Sequence, residues 1–317
     1  MTKSQLGSPP VDSPFVTVRA PAKINLILRI LDRRIDGYHN LWSIMQTVAL
    51  EDELRIRLVP HAGEIRLTCD AQTLAVDRNN LVYKAASAVL DRAQQPVGVN
   101  IDLCKRIPMG AGLGGGSSDA AATIVGLNHL LQLGWSRAQM AEVGQPLGSD
   151  VPFFLYAPSA VVAGRGEMVR PMRIEGGRWA LLVNPGFGVE TKWAYQELAA
   201  TRGAMRPLST GHAELNQRER VSWAQLAAAA ENDFETPVFA RYTMLREIKQ
   251  TLCAQGAEFA LLSGSGATVF GVFHHESAAR HAQKQLARDT SLNVFVVSTC
   301  SEPLAVSHDC LGRLALG

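Results

Sequence analysis

The stretch PMGAGLGGGSSDAA, Pro108 to Ala121, sets five glycines and two serines directly ahead of an apolar run, AATIVGLNHLLQL, that has helical spacing. Glycines let successive backbone N–H groups turn toward one anion, and the helix predicted to start near Ser117 adds the positive end of its dipole. A turn that merely packs tightly needs two or three glycines, so this stretch reads as a phosphate cradle. Two familiar glycine patterns fail on context. Gly110, Gly112 and Gly115 satisfy GxGxxG, but the strand before them alternates polar and apolar residues and ends at a proline. No Asp or Glu stands between Ala120 and Ala141 to hold a ribose. A Walker loop needs a lysine after its last glycine, and here the chain continues SSDAA.

Working outward, Phe15 to Leu31 carries two β-rich runs that break at Ala20-Pro21, followed by the turn RRIDGYHN and the run LWSIMQTVAL. DELRIRLV, EIRLTC and VNIDLCKRI alternate as half-buried strands do. Helices are predicted over NLVYKAASAVLDRA from Asn80, after the glycines, and over SRAQMAEVGQPL with Ser136 as N-cap. The second half offers strands WALLVNP, FALLSG, ATVFGVF and LNVFVVS, with helices near TKWAYQELAA, SWAQLAAAAENDFE, RYTMLREIKQTLCAQG and SAARHAQKQLARD. The pattern is α+β, with mixed or antiparallel sheets and helices packed on one face. A chain of 317 residues most naturally makes two lobes. The expected division is a flexible tail 1–13, an N-terminal domain 14–175 that carries the cradle and a C-terminal domain 176–317, with the site in the cleft between them.

Thirty-one Lys and Arg against 29 Asp and Glu give a net charge of +2, which supplies no field for nucleic acid or an anionic membrane and favours a small-molecule partner. Cys69, Cys104, Cys253, Cys300 and Cys310 are odd in number and form no CxxC pair, which fits buried thiols in a reducing compartment. No segment approaches the roughly 18 apolar residues of a membrane span. The expected setting is the cytoplasm. The connection TRGAMRPLSTGHAELNQRER is polar and reads as loose.

The cradle resembles the second motif of the galactokinase, homoserine kinase, mevalonate kinase and phosphomevalonate kinase (GHMP) superfamily. Its extra glycines before Ser117 and Ser118 are similar to one branch, the 4-diphosphocytidyl-2-C-methyl-D-erythritol kinases. APAKINLIL, RRIDGYHNL, GSDVPFF, GRGE (Gly164 to Glu167) and LLSGSGATVFGVF agree in order over nearly the whole chain. The resemblance implies a two-lobed kinase that uses ATP to phosphorylate the 2-hydroxyl of a cytidyl diphosphate substrate in non-mevalonate isoprenoid synthesis. The alternative is another small-molecule kinase of the superfamily, of homoserine or mevalonate type, against which RRIDGYHNL and the tripled glycine discriminate.

The resemblance also implies roles for particular residues. Pro108, Met109, Gly110, Ala111, Gly112, Leu113, Gly114, Gly115, Gly116, Ser117 and Ser118 would bind ATP. Lys23 and Asp150 would be catalytic. Read from the strand alone, a period of two sets Ile24, Leu26 and Leu28 on one side and Lys23, Asn25 and Ile27 on the other, where a lysine is ordinarily solvated. Asp150, before Val151-Pro152, equally suits a helix N-cap. Tyr38 and His39 stand where the family holds the cytosine, though a surface hairpin would use the same residues. Tyr195 stands where the family stacks an aromatic on the base, with helix-core packing as the alternative, and Asn25 and Thr191 where it faces substrate. Ser263 to Thr268 would abut the cradle. Mg2+ is expected with the nucleotide, and no carboxylate is marked by spacing as its ligand.

Overall fold

The β-rich residues after Pro14 form one strand, not two. A computed structural model describes residues 14–35, 37–202 and 206–309. The predicted tail 1–13, Asp36 of the predicted turn, Gly203 to Met205 of the polar connection, and Cys310 lie outside the described residues. Strand β1 (Phe15–Arg33) runs straight through Ala20-Pro21. Its register against β2 (His39–Val59) shifts between Pro21 and Ala22, and a bulge tolerates a residue that has no N–H to donate.

The chain continues through β3 (Ile65–Cys69), α1 (Leu81–Ala93), β4 (Gly98–Cys104), α2 (Gly115–Leu130), α3 (Arg137–Gly144), α4 (Val151–Tyr156), β5 (Ser159–Gly164) and β6 (Met168–Pro171). Then follow β7 (Arg173–Glu175), β8 (Trp179–Asn184), α5 (Thr191–Thr201), α6 (Thr210–Asn216), β9 (Arg220–Ser222), α7 (Trp223–Ala229) and the two-residue β10 (Glu231–Asn232). The last elements are α8 (Glu235–Arg241), α9 (Thr243–Ala254), β11 (Phe259–Leu262), β12 (Val269–Phe273), α10 (Glu276–Leu286), β13 (Asn293–Ser298) and β14 (Val306–Asp309). Two helix starts follow the sequence closely. The Asn80 side chain accepts from the Val82 N–H at 2.8 Å, and Ser136 forms a capping box with Gln139.

Among the described residues, eight strands form a mixed sheet built around the long β1–β2 pair. The first half of β2 pairs with β5 and its second half with β4, while β1 takes β14 at its start and β10 near its middle. A second sheet has the order β11-β12-β8-β13, antiparallel throughout. Both β10 and β14 come from the second half of the chain, so the first sheet is completed by late residues.

Three apolar clusters follow from this layering. Helices α1 to α4 cover one face of the first sheet, where Val16, Val18, Ile56 and Ile101 meet Ala85, Val89, Ala121 and Ile124. Ala22, Ile24, Leu26 and Ile27 of β1 pack with Ala180, Leu182, Phe270 and Val272 of the second sheet. Leu28 and Ile30 join a third cluster with α5, α8, α9 and α10. β1 therefore belongs to every layer, and burial of its apolar side chains, at roughly 1.5–3 kcal/mol each, holds the two sheets to one strand.

A candidate active site where a glycine cradle meets a buried lysine

Gly110, Gly112 and Gly114 all take positive φ, at 64°, 79° and 72°. A Cβ on Gly112 would lie 1.9 Å from the Ser263 carbonyl oxygen, so glycine there is required by backbone approach as well as by φ. Helix α2 starts at Gly115, slightly earlier than the sequence suggests, with Gly114 as a left-handed N-cap and no acidic residue in its first turn. The N–H groups of that first turn have no partner within the helix. They open onto a cavity of about 440 Å³ lined by Pro108 to Gly112, Gly114 to Ser117, and Asn79 to Leu81. Leu113 and Ser118 do not line it. Leu113 is buried in the inter-sheet core, and the Ser118 hydroxyl is enclosed without a hydrogen-bond partner. The SGSGAT turn does abut the cradle, where Ser263 Oγ donates to the Gly112 carbonyl at 3.0 Å and the Thr268 N–H donates to that of Ala111 at 3.2 Å.

Both flanks of the glycine loop are tied to one lysine that sequence reasoning missed. Lys105, at the end of β4, donates to Asp52 and, at 2.8 Å, to Asp119 in α2. Asp52 also accepts the N–H groups of Arg106, at 2.5 Å, and Ile107, at 2.9 Å. Burial, helped by the charge of Asp52, pushes the Asp119 carboxyl up to about 7 against the opposing pull of Lys105. Burial works against the Lys105 charge, yet the two carboxylates outweigh it and raise the lysine above its ordinary value.

Lys23 is 4% exposed, contrary to the solvated face that its strand position alone would suggest. Its Nζ donates to Asn25 Oδ1 at 2.6 Å and lies 3.7 Å from Asp150 Oδ2. Burial lowers the Lys23 pKa, and the Asp150 charge resists that fall. Asp150 occupies the N-cap position of α4, but its side chain makes no capping bond, which leaves the carboxylate facing the lysine. The Lys23 N–H donates to the Leu113 carbonyl at 2.9 Å, so strand and cradle are joined by backbone. One prediction fails here. The register against β2 shifts between Asn25 and Ile27, making Leu26 an extra residue. The period of two is therefore broken, so that Ile27 turns into the inter-sheet core and Leu28 faces Lys23 and Asn25.

Behind the cradle lies a second cavity, of about 170 Å³, which shares Gly112 and Gly114 with the first. Lys23, Asn25, Asp150, Thr191 and Tyr195 all line it. Thr191 Oγ1 and Ser265 Oγ are 3.0 Å apart at its edge. Tyr195 combines core packing with a place on the cavity wall. Its ring packs edge-on against Phe234, at 4.8 Å and 87°, and stacks on His39, at 4.9 Å and 20°, while facing the cavity. Burial, and then the Asp150 charge, push its hydroxyl up to about 12. His39 is lowered by burial and by Arg33, with Asp32 opposing. Tyr38 stands apart. It is 57% exposed, and the Arg165 guanidinium of GRGE lies 4.2 Å from its ring centre. Ser265, of the SGSGAT turn, and Phe234 also line the cavity, and the sequence marks Phe234 with no spacing of its own.

The arrangement can bind an anion on backbone amides and present a cation and a carboxylate to whatever adjoins that anion. Residues 80–158 match the GHMP kinases N terminal domain and residues 212–290 the GHMP kinases C terminal domain. The 4-diphosphocytidyl-2-C-methyl-D-erythritol kinase of Citrifermentans bemidjiense is 41% identical over 269 residues, 85% of this chain and 93% of that protein. That of Syntrophotalea carbinolica is 41% identical over 286 residues, 89% and 98% of the two chains. A crystal structure of 4-(cytidine 5'-diphospho)-2C-methyl-D-erythritol kinase superposes with a TM-score of 0.72 at 33% identity, covering 90% of this chain and 100% of that one. Homoserine kinase from Cytophaga hutchinsonii, at TM-score 0.68 and 19% identity over 95% and 97% of the chains, shares the fold. With this identity sustained over most of its length, the chain belongs to the 4-diphosphocytidyl-2-C-methyl-D-erythritol kinase family of the GHMP kinases.

Proposed function

We propose that the protein transfers the terminal phosphoryl group of ATP to the 2-hydroxyl of 4-diphosphocytidyl-2-C-methyl-D-erythritol, a step toward isoprenoid precursors. The observation that carries this reading is the Lys23–Asp150 pair, 3.7 Å apart and set where the two cavities share Gly112 and Gly114. The triphosphate lies along the glycines, and the acceptor hydroxyl enters from the inner cavity. Asp150 takes the hydroxyl proton as the oxygen attacks phosphorus, and the bond to the ADP leaving oxygen breaks. Lys23 keeps the carboxylate ionised and offsets charge on the transferring group. Mg2+ accompanies the triphosphate. Among the described residues no three His, Cys, Asp or Glu side chains cluster as a metal site, which suits an ion held mainly by phosphate oxygens and water. The Ser117 hydroxyl, which lines the outer cavity, would be a hard oxygen donor to such an ion.

The cytosine is proposed to lie at the Tyr195–His39 stack, with Tyr38 at its outer edge. The functional division falls between residues 14–175 and 176–317, with the site between them. A cytoplasmic setting is supported by four free thiols, Cys69, Cys104, Cys253 and Cys300, among the described residues. No helix of the described residues is long and apolar enough to cross a membrane.

The test is ATP consumption with the cytidyl substrate, mevalonate and homoserine side by side, and turnover of either of the latter two in preference would replace this reading. Uracil reverses cytosine's N4 donor and N3 acceptor, which leaves polar groups unpaired at about 1–3 kcal/mol each. A uridyl analogue should therefore lose at least about 10²-fold in kcat/KM.

A further inference from the structure

The tripeptide Asn232-Asp233-Phe234 lies at the end of β10, more than 200 positions along the chain from Lys23, and nothing in its sequence marks it. It is fixed on three sides. Phe234 packs edge-on against the Tyr195 ring. Asp233 is a buried anchor, with Oδ2 accepting the Ile30 N–H at 2.7 Å and Arg29 Nε at 3.3 Å, and Oδ1 receiving the Arg202 guanidinium at 2.6 Å. The Asp233 N–H donates to the Leu28 carbonyl at 2.9 Å, just past the bulge. Asn232 uses every polar atom of its amide. Its Nδ2 donates to the carbonyls of Leu262 at 2.7 Å and Gly264 at 2.9 Å, and its Oδ1 accepts the Phe234 N–H at 2.9 Å.

Gly264 is the link. Its N–H donates to Asn25 Oδ1 at 3.0 Å, the same oxygen that receives Lys23 Nζ at 2.6 Å. The other end of the Asn25 amide is held by Ser43, whose Oγ accepts at 2.9 Å and donates to the Ile27 carbonyl at 2.6 Å. An oxygen shared by an amide and an ammonium can hold the ammonium in one place only while the amide itself is held. We propose that Asn232 is a positioning residue for phosphoryl transfer, setting the Lys23 ammonium through the Gly264 backbone and the Asn25 amide, with Asp233 as the anchor of the chain of contacts. The inference rests on the kinase reading for its effect on rate, but not for its effect on Lys23. A side chain that only stabilised the turn would lower stability and all kinetic constants together. A positioning residue lowers kcat and leaves ATP binding in place, because the cradle is built from a different segment.

The experiment pairs steady-state kinetics with the 15N resonance of Lys23 Nζ in lysine-labelled protein, assigned by its loss in Lys23→Met. Asn232→Ala should lower kcat by about 10- to 100-fold with KM for ATP within about three-fold, and should move the Lys23 resonance in the absence of substrate. Asn232→Asp, which turns a carboxylate toward two carbonyls while keeping the acceptor for Phe234, should lose at least as much. If Asn232→Ala does not fold, Asn232→Ser, which retains a short donor, carries the same measurements with an intermediate loss. A kcat within about three-fold of wild type, or an unmoved Lys23 resonance, would overturn the inference. A wild-type protein that does not phosphorylate the cytidyl substrate would overturn the kinase reading instead, and the resonance would still decide the positioning.

Discussion

The cavity along the glycines is walled largely by the backbone of one continuous stretch, while the cavity behind Lys23 gathers side chains from β1, β2, the start of α4, α5, the residue before α8 and the turn after β11. The first offers backbone N–H groups that a Cβ disturbs where the chain approaches closely, as at Gly112, and the second offers individual functional groups that can be removed one at a time. The two should therefore fail differently. Damage to the cradle should appear in ATP affinity and stability, and damage to the inner cavity in turnover and acceptor binding.

The largest expected effect belongs to the inner cavity. Asp150→Asn should keep fold and ATP affinity and lower kcat by on the order of 10²- to 10⁴-fold, the worth of a positioned base. A large loss of ATP affinity measured by calorimetry would erase the distinction between the cavities. On the cradle side, Gly112→Ala places a methyl against the Ser263 carbonyl at a positive φ. It should weaken ATP binding at least about ten-fold and cost about 1–3 kcal/mol of stability. Gly116, inside α2, meets only the tip of Leu81 at 3.6 Å, so Gly116→Ala should leave the melting temperature nearly unchanged and weaken ATP only modestly. Equal behaviour of the two variants would mean that the loop does not work through its backbone.

How much of this could be read in advance follows the same division. The cradle is local, and its glycines, the helix after it and the caps at Asn80 and Ser136 are all written within a few residues of where they act. The inner cavity is not. The bulge at Leu26 exchanges the faces of Ile27 and Leu28, and no residue type at that position announces it. Asp52, Lys105 and Asp119 lie on separate elements, and their pairing exists only once β2, β4 and α2 are packed. Only the resemblance to a family relates Lys23, Asp150, Thr191 and Tyr195, since neither spacing nor periodicity does. Tyr38, which the same resemblance points to, stands outside the cavity.

Two smaller effects sharpen the comparison. Tyr195→Ala should raise KM for the cytidyl substrate by about 10- to 100-fold, since stacking on a base is worth about 1–3 kcal/mol. Tyr38→Ala should raise it less, because much of that ring already faces solvent. A reversed order would move the base outward, toward Arg165. Beneath the cradle, the raised carboxyl of Asp119 binds a proton in the folded protein between its ordinary value of 3.8 and about 7, where the unfolded chain has released it. Stability should therefore fall as pH rises through that window, by at most about 1.4 kcal/mol per pH unit, and Asp119→Asn should flatten the slope. Denaturant unfolding between pH 5 and pH 8 measures it, and an unchanged slope in the variant would mean that Asp119 stays ionised throughout.

The division between a backbone cradle and a side-chain catalytic pair is tested most directly by a double-mutant cycle read in two quantities, single-turnover rate and ATP affinity, for wild type, Lys23→Met, Asp150→Asn and the double variant. If Lys23 and Asp150 act as one unit beside a separate cradle, the double variant should lose little more rate than the worse single variant, and all four proteins should bind ATP within about three-fold of one another. Rate losses that multiply, or an ATP affinity that falls with the rate, would contradict the account.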